Sequence, residues 1–278
     1  MDKPGHTFPV LNLQQLSDLP KGHKPQDMKR ILDSRNSEDW VTWNFFQVLF
    51  KKYPTDWWRH IISVARRRNP HLAFSVDERA LPTPQFWSSV PSPPEYEAQS
   101  RARMLASGNE ESILRAKVAG PVEGPSEIDI AFDHDQFLVY IEAKLLSDVS
   151  MNTKYDLQRN QIIRNIDCLI ANAGNRKSIF WLLVKDEAPT REYVRLINNY
   201  TADPSLLVHD LPHRDTDTLG GIAQNLTILL WNDFRELVCS PSSDPETAAV
   251  QRELEHRISG SAIGVCPWEE SANAKRSP

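Results

Sequence analysis

The feature that most constrains this chain is a pair of strand-like runs, Glu127 to Phe132 and Phe137 to Leu145, joined by the turn-prone Asp133-His134-Asp135-Gln136. Side chains alternate along a strand, so Glu127 and Asp129 share one face while Ile128 and Ile130 take the other. Glu142 and Lys144 share a face in the same way. A four-residue turn pairing Phe132 with Phe137 sets Asp129 opposite Tyr140 and Glu127 opposite Glu142, which places all four polar residues on one side. A turn one residue longer or shorter would separate the two acidic pairs.

Burying three carboxylates and a lysine near the middle of a sheet costs several kcal/mol per uncompensated charge, roughly what a lone buried ion costs in a protein. A divalent cation changes that balance. Asp129 and Glu142 offer hard oxygen ligands for Mg2+, with Mn2+ as a substitute, and the main-chain carbonyl of Ala143 and water can complete the shell. Lys144 beside them can orient or deprotonate an attacking water, or stabilise charge on a pentavalent phosphate. Phosphodiester hydrolysis needs such help, since barrier lowering of roughly 20 kcal/mol lies within the range enzymes supply for very slow reactions.

These residues resemble the PD-(D/E)xK, or restriction-endonuclease-like, nucleases. Asp129 matches the first motif and Glu142-Ala143-Lys144 the E-x-K motif, on adjacent strands followed by a helix; Ile128 stands where the family often has proline. The resemblance implies an α/β fold with an α-β-β-β-α-β core, a mixed central sheet flanked by helices, with extra helices and loose termini. It also implies a divalent metal and cleavage of DNA, or sometimes RNA, often in a restriction or antiphage setting; without a global basic field, such an enzyme could depend on a partner protein or second protomer for substrate delivery. A glutamine on the following helix often joins such sites, which singles out Gln161, and an acid on the first core helix often adds a ligand, which singles out Glu38. The match spans Glu127 to Asp167, with looser support from Ser37 to Phe50 and Ser178 to Lys185. The plain alternative is a solvated hairpin with Glu127 and Lys144 in a surface ion pair worth little.

Elsewhere the chain reads as alternating helices and strands. Ser37 caps a helix through the apolar run Trp40 to Phe50, and Trp57, Trp58, Ile61, Ile62 and Ala65 mark a second that closes at Arg66-Arg67-Arg68. Five prolines between Leu81 and Glu95 predict a loop. Helix formers fill Glu97 to Lys117 with a break at Ser107-Gly108-Asn109, and Ile113 to Ala119 fits helix or strand. Leu157, Ile162, Ile163, Ile166 and Leu169 outline an amphipathic helix ending near Gly174, whose polar stripe carries Gln158, Gln161 and Asn165. Strands are expected at Ser178 to Lys185 and Leu226 to Trp231, and helices at Thr190 to Tyr200, Asn232 to Val238 and Pro245 to Ile258. The division is an arm at 1–36 with limited order, a nuclease-like domain at 37–238 and a polar tail at 239–278.

Lys and Arg number 32 against 37 Asp and Glu, a formal charge of -5, so no global basic field exists to hold nucleic acid. Any such site is local. Arg66 to Arg68 with Arg101 and Arg103 are read first as solvated basic turns, and the eight tryptophans as core or partner interface before base-stacking platforms. His209 and His213 flank Pro212, which spoils a helical ligand pair. Three scattered cysteines support neither a disulfide framework nor a zinc site and point to a reducing cytoplasm. Apolar runs fall well short of the ~20 residues of a membrane helix, and no phosphate-binding glycine motif appears. A second functional class also fits the acidic charge, the tryptophans and the proline-rich segment: a catalytically silent subunit serving as a protein-interaction or assembly module.

Overall fold

A computed structural model describes residues 8–19, 26, 28–29, 31, 37–70, 72, 79–118, 120–151 and 159–259. In chain order the elements are α1 (Leu13–Asp18), α2 (Glu38–Lys52), α3 (Trp57–Arg68), β1 (Thr83–Val90), α4 (Pro94–Ala106), α5 (Glu110–Lys117), β2 (Ser126–His134) and β3 (Phe137–Ala143). There follow α6 (Gln161–Ala173), β4 (Lys177–Val184), α7 (Glu192–Ala202), α8 (Ser205–Asp210), α9 (Thr216–Asn225), β5 (Leu226–Leu230), a 3-10 turn (Trp231–Phe234), α10 (Arg235–Cys239) and α11 (Pro245–Ser259).

The strands form one open mixed sheet in the order β1-β2-β3-β4-β5. β1, β2 and β3 are antiparallel in succession, whereas β4 runs parallel to both β3 and β5. Its Ile179-Phe180-Trp181-Leu182-Leu183-Val184 run is wholly apolar, as a strand covered on both faces requires. On one face Trp40, Trp43 and Trp58 from α2 and α3 pack with Phe132, Phe137 and Trp181. On the other, Ile162 and Ile166 of α6 and residues of α7 to α9 cover Tyr140, Phe180 and Leu182. The tryptophans Trp40, Trp43, Trp57 and Trp58 are thus core. No described helix is long and apolar enough to cross a membrane.

Several expectations change. The proline-rich segment contains β1, an edge strand with a single neighbour, where a missing N–H breaks nothing essential; Pro84 pairs with Phe132 in its ladder. Pro94 then opens α4, at a position where its absent N–H would have had no helical partner. The hairpin turn is two residues, not four: Asp133 and His134 continue β2 and pair with Leu138 and Phe137. The shift is even, so parity survives, but the facing residues differ, because Ile130 now pairs with Ile141. Ile128 and Ile130 do not share a face. Ile130 joins the first core cluster and Ile128 the second, so the strand turns over at Asp129.

The ends of the described chain are also packed. Phe8, Leu11 and Leu16 are buried against α2, where Trp43 Nε1 donates to the Leu11 carbonyl at 2.7 Å and the Leu11 N–H donates to Asn44 Oδ1 at 2.9 Å. Val250, Leu254 and Ile258 bring α11 into the same core. α5 resolves the ambiguous Ile113 stretch as helix up to Lys117. Leu157 and Gln158 lie outside the described residues, as does the tail beyond 259.

Candidate active site

Beyond Ile130 and Ile141 the β2–β3 ladder ends, although β3 continues pairing with β4 as far as Ala143 and Leu183. The splay opens a cavity of about 550 Å3 whose walls include the N-terminal turn of α2, the start of β2, the end of β3 and the first turns of α6. Glu38, Asp129, Glu142, Ala143, Lys144 and Gln161 all line it, and so do Glu127, Arg164 and Asn165. The residues singled out in the sequence are therefore gathered in one place.

Each is held by identifiable contacts. Asp129 Oδ2 accepts the Ala143 N–H at 2.8 Å, a backbone donor that the ended ladder leaves to a side chain. Glu142 is essentially fully buried, and its Oε1 receives Lys144 Nζ at 2.8 Å and Gln161 Nε2 at 2.6 Å. Asn165 Nδ2 donates to Oε2 at 2.7 Å. Asn160 caps α6 by accepting the Ile163 N–H at 2.9 Å, and the 3.6-residue repeat then sets Gln161 and Asn165 one above the other toward Glu142. Asn165 appeared in the sequence only as part of a polar stripe; the i, i+4 spacing from Gln161 was the signal that it belonged to the site.

Lys144 is anchored through its backbone. Its N–H donates to the Leu183 carbonyl at 2.8 Å and its carbonyl accepts from Trp231 Nε1 at 3.1 Å, which fixes the residue just past the end of β3. Glu38 sits at the first turn of α2, capped by Ser37 Oγ, which accepts the Trp40 N–H at 3.0 Å. Its two oxygens accept the Leu145 N–H at 2.7 Å and the Ser147 hydroxyl at 2.6 Å. Glu38 is thus a strut between α2 and the segment after β3. Among the described residues, no three of His, Cys, Asp and Glu form a group that could hold a metal ion.

The electrostatics follow from burial. Desolvation pushes the Glu142 carboxyl above the usual carboxylate range, against the pull of Lys144 and with a push from Glu38. Burial alone would lower the Lys144 ammonium; Glu142 and Asp129, then Glu38, more than reverse it, so Lys144 titrates above an ordinary lysine. With these neighbours it holds its proton and donates to Glu142. Lys144 makes a buried ion pair with Glu142, not the surface pair with Glu127 that the plain alternative supposes.

Of the arginines considered as phosphate-following groups, Arg68 and Arg101 are engaged within the protein. Arg68 makes a bidentate pair with Asp233, both contacts at 2.6 Å, and reaches Glu187 at 2.8 Å. Arg101 donates to the carbonyls of Ala116, Val118 and Gly120. Arg164 donates to the carbonyls of Gly124 and Pro125 at 2.6 and 2.8 Å, bracing the cavity wall before β2. His213 Nε2 lies 2.9 Å from Asp167 Oδ1. Compared with family models, with curated proteins and with solved structures, the chain finds no match.

Proposed function

We propose that this chain is a divalent-cation-dependent nuclease with a restriction-endonuclease-like core, cutting phosphodiester bonds in DNA. The observation that carries this is the convergence of Asp129, Glu142 and Lys144 on one cavity from two strands that splay apart. The order α2-β1-β2-β3-α6-β4, with α3 inserted before β1 and α4 and α5 before β2, supports it as well. The donor set suits a hard cation: two carboxylates in a polar cavity, one of them at an energetic cost that a dipositive charge would offset. Asp129, Glu142 and the Ala143 carbonyl would hold Mg2+ or Mn2+. Such an ion, when bound, supplies Lewis acidity and a more acidic water.

The chain's own groups do the rest. Gln161 and Asn165 fix the Glu142 carboxylate in one orientation. Lys144 presents a permanent positive charge where negative charge develops on phosphorus oxygens. Asp129 is held at a fixed distance from β3 by the Ala143 N–H. The acidic overall charge fits substrate delivery by a partner protein or second protomer, as in restriction or antiphage systems, and Cys168 and Cys239, both unbridged, fit a reducing cytoplasm.

The alternative, a catalytically silent assembly module on the same fold, draws support from one observation: Lys144 already neutralises Glu142 within the cavity. Cleavage assays on DNA and RNA with Mg2+ or Mn2+ separate the two. Wild type is expected to cut, and Lys144→Ala to cut about 100- to 1,000-fold more slowly with folding intact, the usual loss for removing a group that stabilises developing charge. Equal cleavage by that variant would overturn the assignment. Absence of both cleavage and Mn2+ binding in wild type would favour the assembly module.

A further inference from the structure

We infer that Trp87 is the positioning residue for Asp129: its left-handed backbone, opposite that aspartate in the β1–β2 register, turns both strands over there and brings the carboxylate into the wedge between β2 and β3. The consequence for chemistry rests on the proposed nuclease site, whereas the geometry stands without it.

Trp87 has φ +49, in the region that bulky L-residues rarely enter. On either side the ladder is regular, with Phe86 paired to Ile130 and Ser88 to Ile128. The same register sets Trp87 opposite Asp129, between the Phe86–Ile130 and Ser88–Ile128 pairs. Both strands turn over there. Phe86 and Trp87, consecutive in sequence, both enter the first core cluster, while Val90 enters the second. On β2 the same inversion separates Ile130 from Ile128.

The fold over-determines this backbone. The Trp87 indole is buried and stacks on Trp43 of α2, with ring centroids 6.1 Å apart and planes 25° apart; Phe86 lies 5.9 Å away. The core thus draws two adjacent aromatic side chains to one side, which an extended strand cannot do. In an unbroken strand Asp129 would stand on the Ala131 face with β2 zipped to β3. Instead pairing stops at Ile130 and Asp129 Oδ2 takes the Ala143 N–H at 2.8 Å. Strain of this kind persists where surrounding structure enforces it and concentrates at sites of function.

The test compares Trp87→Gly with Trp87→Val. Glycine accepts a positive φ and valine, β-branched, resists it. If Trp87 mattered only as packing, valine, which keeps more apolar volume, would be the milder change. The inference gives the reverse order. Hydrogen exchange at the Ala143 amide should remain slow in Trp87→Gly and become fast in Trp87→Val, and Mn2+ should bind the glycine variant about 10- to 100-fold more tightly, the usual reach of residues that orient a ligand. Equal exchange in the two variants, or slower exchange in Trp87→Val, overturns the inference. Should neither variant fold, the sign of φ at Trp87 in the full-length wild-type chain, from backbone NMR couplings, decides: a positive value upholds the inference and a negative one overturns it. Wild type that shows the expected Ala143 protection and ranking but no Mn2+ binding upholds the positioning and defeats the nuclease reading.

Discussion

Asn165 Nδ2 donates to Glu142 Oε2 at 2.7 Å from the turn of α6 that follows Gln161, whose own amide holds the other oxygen. A carboxylate fully inside the protein is thereby gripped at both oxygens by one helix. Removing one donor leaves a buried charge short of a partner. Asn165→Ala is therefore expected to lower stability by about 1.5–3 kcal/mol, the range for a hydrogen bond to a charged group. Mn2+ affinity is expected to fall about 10- to 100-fold. Urea denaturation and calorimetric titration measure both; unchanged values would show that Glu142 does not depend on this contact.

Glu38 and Asp129 should separate as strut and ligand. Both oxygens of Glu38 already accept protein donors, the Leu145 N–H and the Ser147 hydroxyl. Glu38→Gln is expected to cost about 1–3 kcal/mol of stability, since an amide nitrogen cannot accept one of those bonds. Mn2+ binding should be weakened far less than in Asp129→Ala, where it should be lost. Titration of both variants with Mn2+ checks this, and equal loss would return Glu38 to the ligand set.

The site was legible because its signal is local. Asp129, Glu142 and Lys144 lie in or next to one hairpin, so reading four turn residues in place of two still left them close together, although the alternation assumed through Asp129 does not hold, because β2 turns over there. Gln161 was legible as the first residue of a periodic helix. What could not be read depends on distant packing. β1 was hidden because prolines signal loops unless the strand is an edge, and edge status is a property of the whole sheet. The inversion at Asp129 was hidden because it originates on Trp87, 42 positions earlier, and in the pull of Trp43 on its ring. The packing of Phe8 and Leu11 was hidden because single apolar residues among prolines carry no period.

Arg257 links the two ends of the described chain. Its guanidinium carbon lies 4.2 Å from the Trp40 ring centroid and 4.5 Å from that of Phe8, and its Nε donates to Glu253 at 2.7 Å. Arg257→Met keeps an apolar stem of similar reach and removes the charge. A loss of about 0.5–2 kcal/mol is expected, the span between exposed and desolvated cation–π contacts. Protease cleavage around Phe8 should accelerate with it, as limited proteolysis would show; cleavage at the wild-type rate would mean that α11 does not hold this segment.

Asp167, on the far side of α6 from solvent, gives the fold a defined acid dependence. Its carboxylate is fully buried, with Arg159 at 2.9 Å on one oxygen and Arg214 at 2.7 Å and His213 Nε2 at 2.9 Å on the other, and Arg159 in turn stacks 3.7 Å from the Tyr96 ring centroid. Burial alone would raise the Asp167 carboxyl, but the His213 hydrogen bond and the two guanidinium groups bring it below the usual aspartate value. A depressed folded value means that the unfolded chain takes up the proton first as pH falls. The stabilisation is thus complete above the unfolded value of about 3.9 and is lost as pH drops from there through the folded one. Asp167→Asn removes the shared carboxylate from two guanidinium groups that keep Glu123 and Glu95 respectively, and should cost about 1.5–3 kcal/mol at pH 7, the range for hydrogen bonds to a charged group. Its deficit against wild type should shrink as pH falls below about 4. Urea melts of both proteins across that range decide it: a deficit that holds steady or grows in acid would show that the charge on Asp167 does not hold α6 to the loop carrying His213 and Arg214.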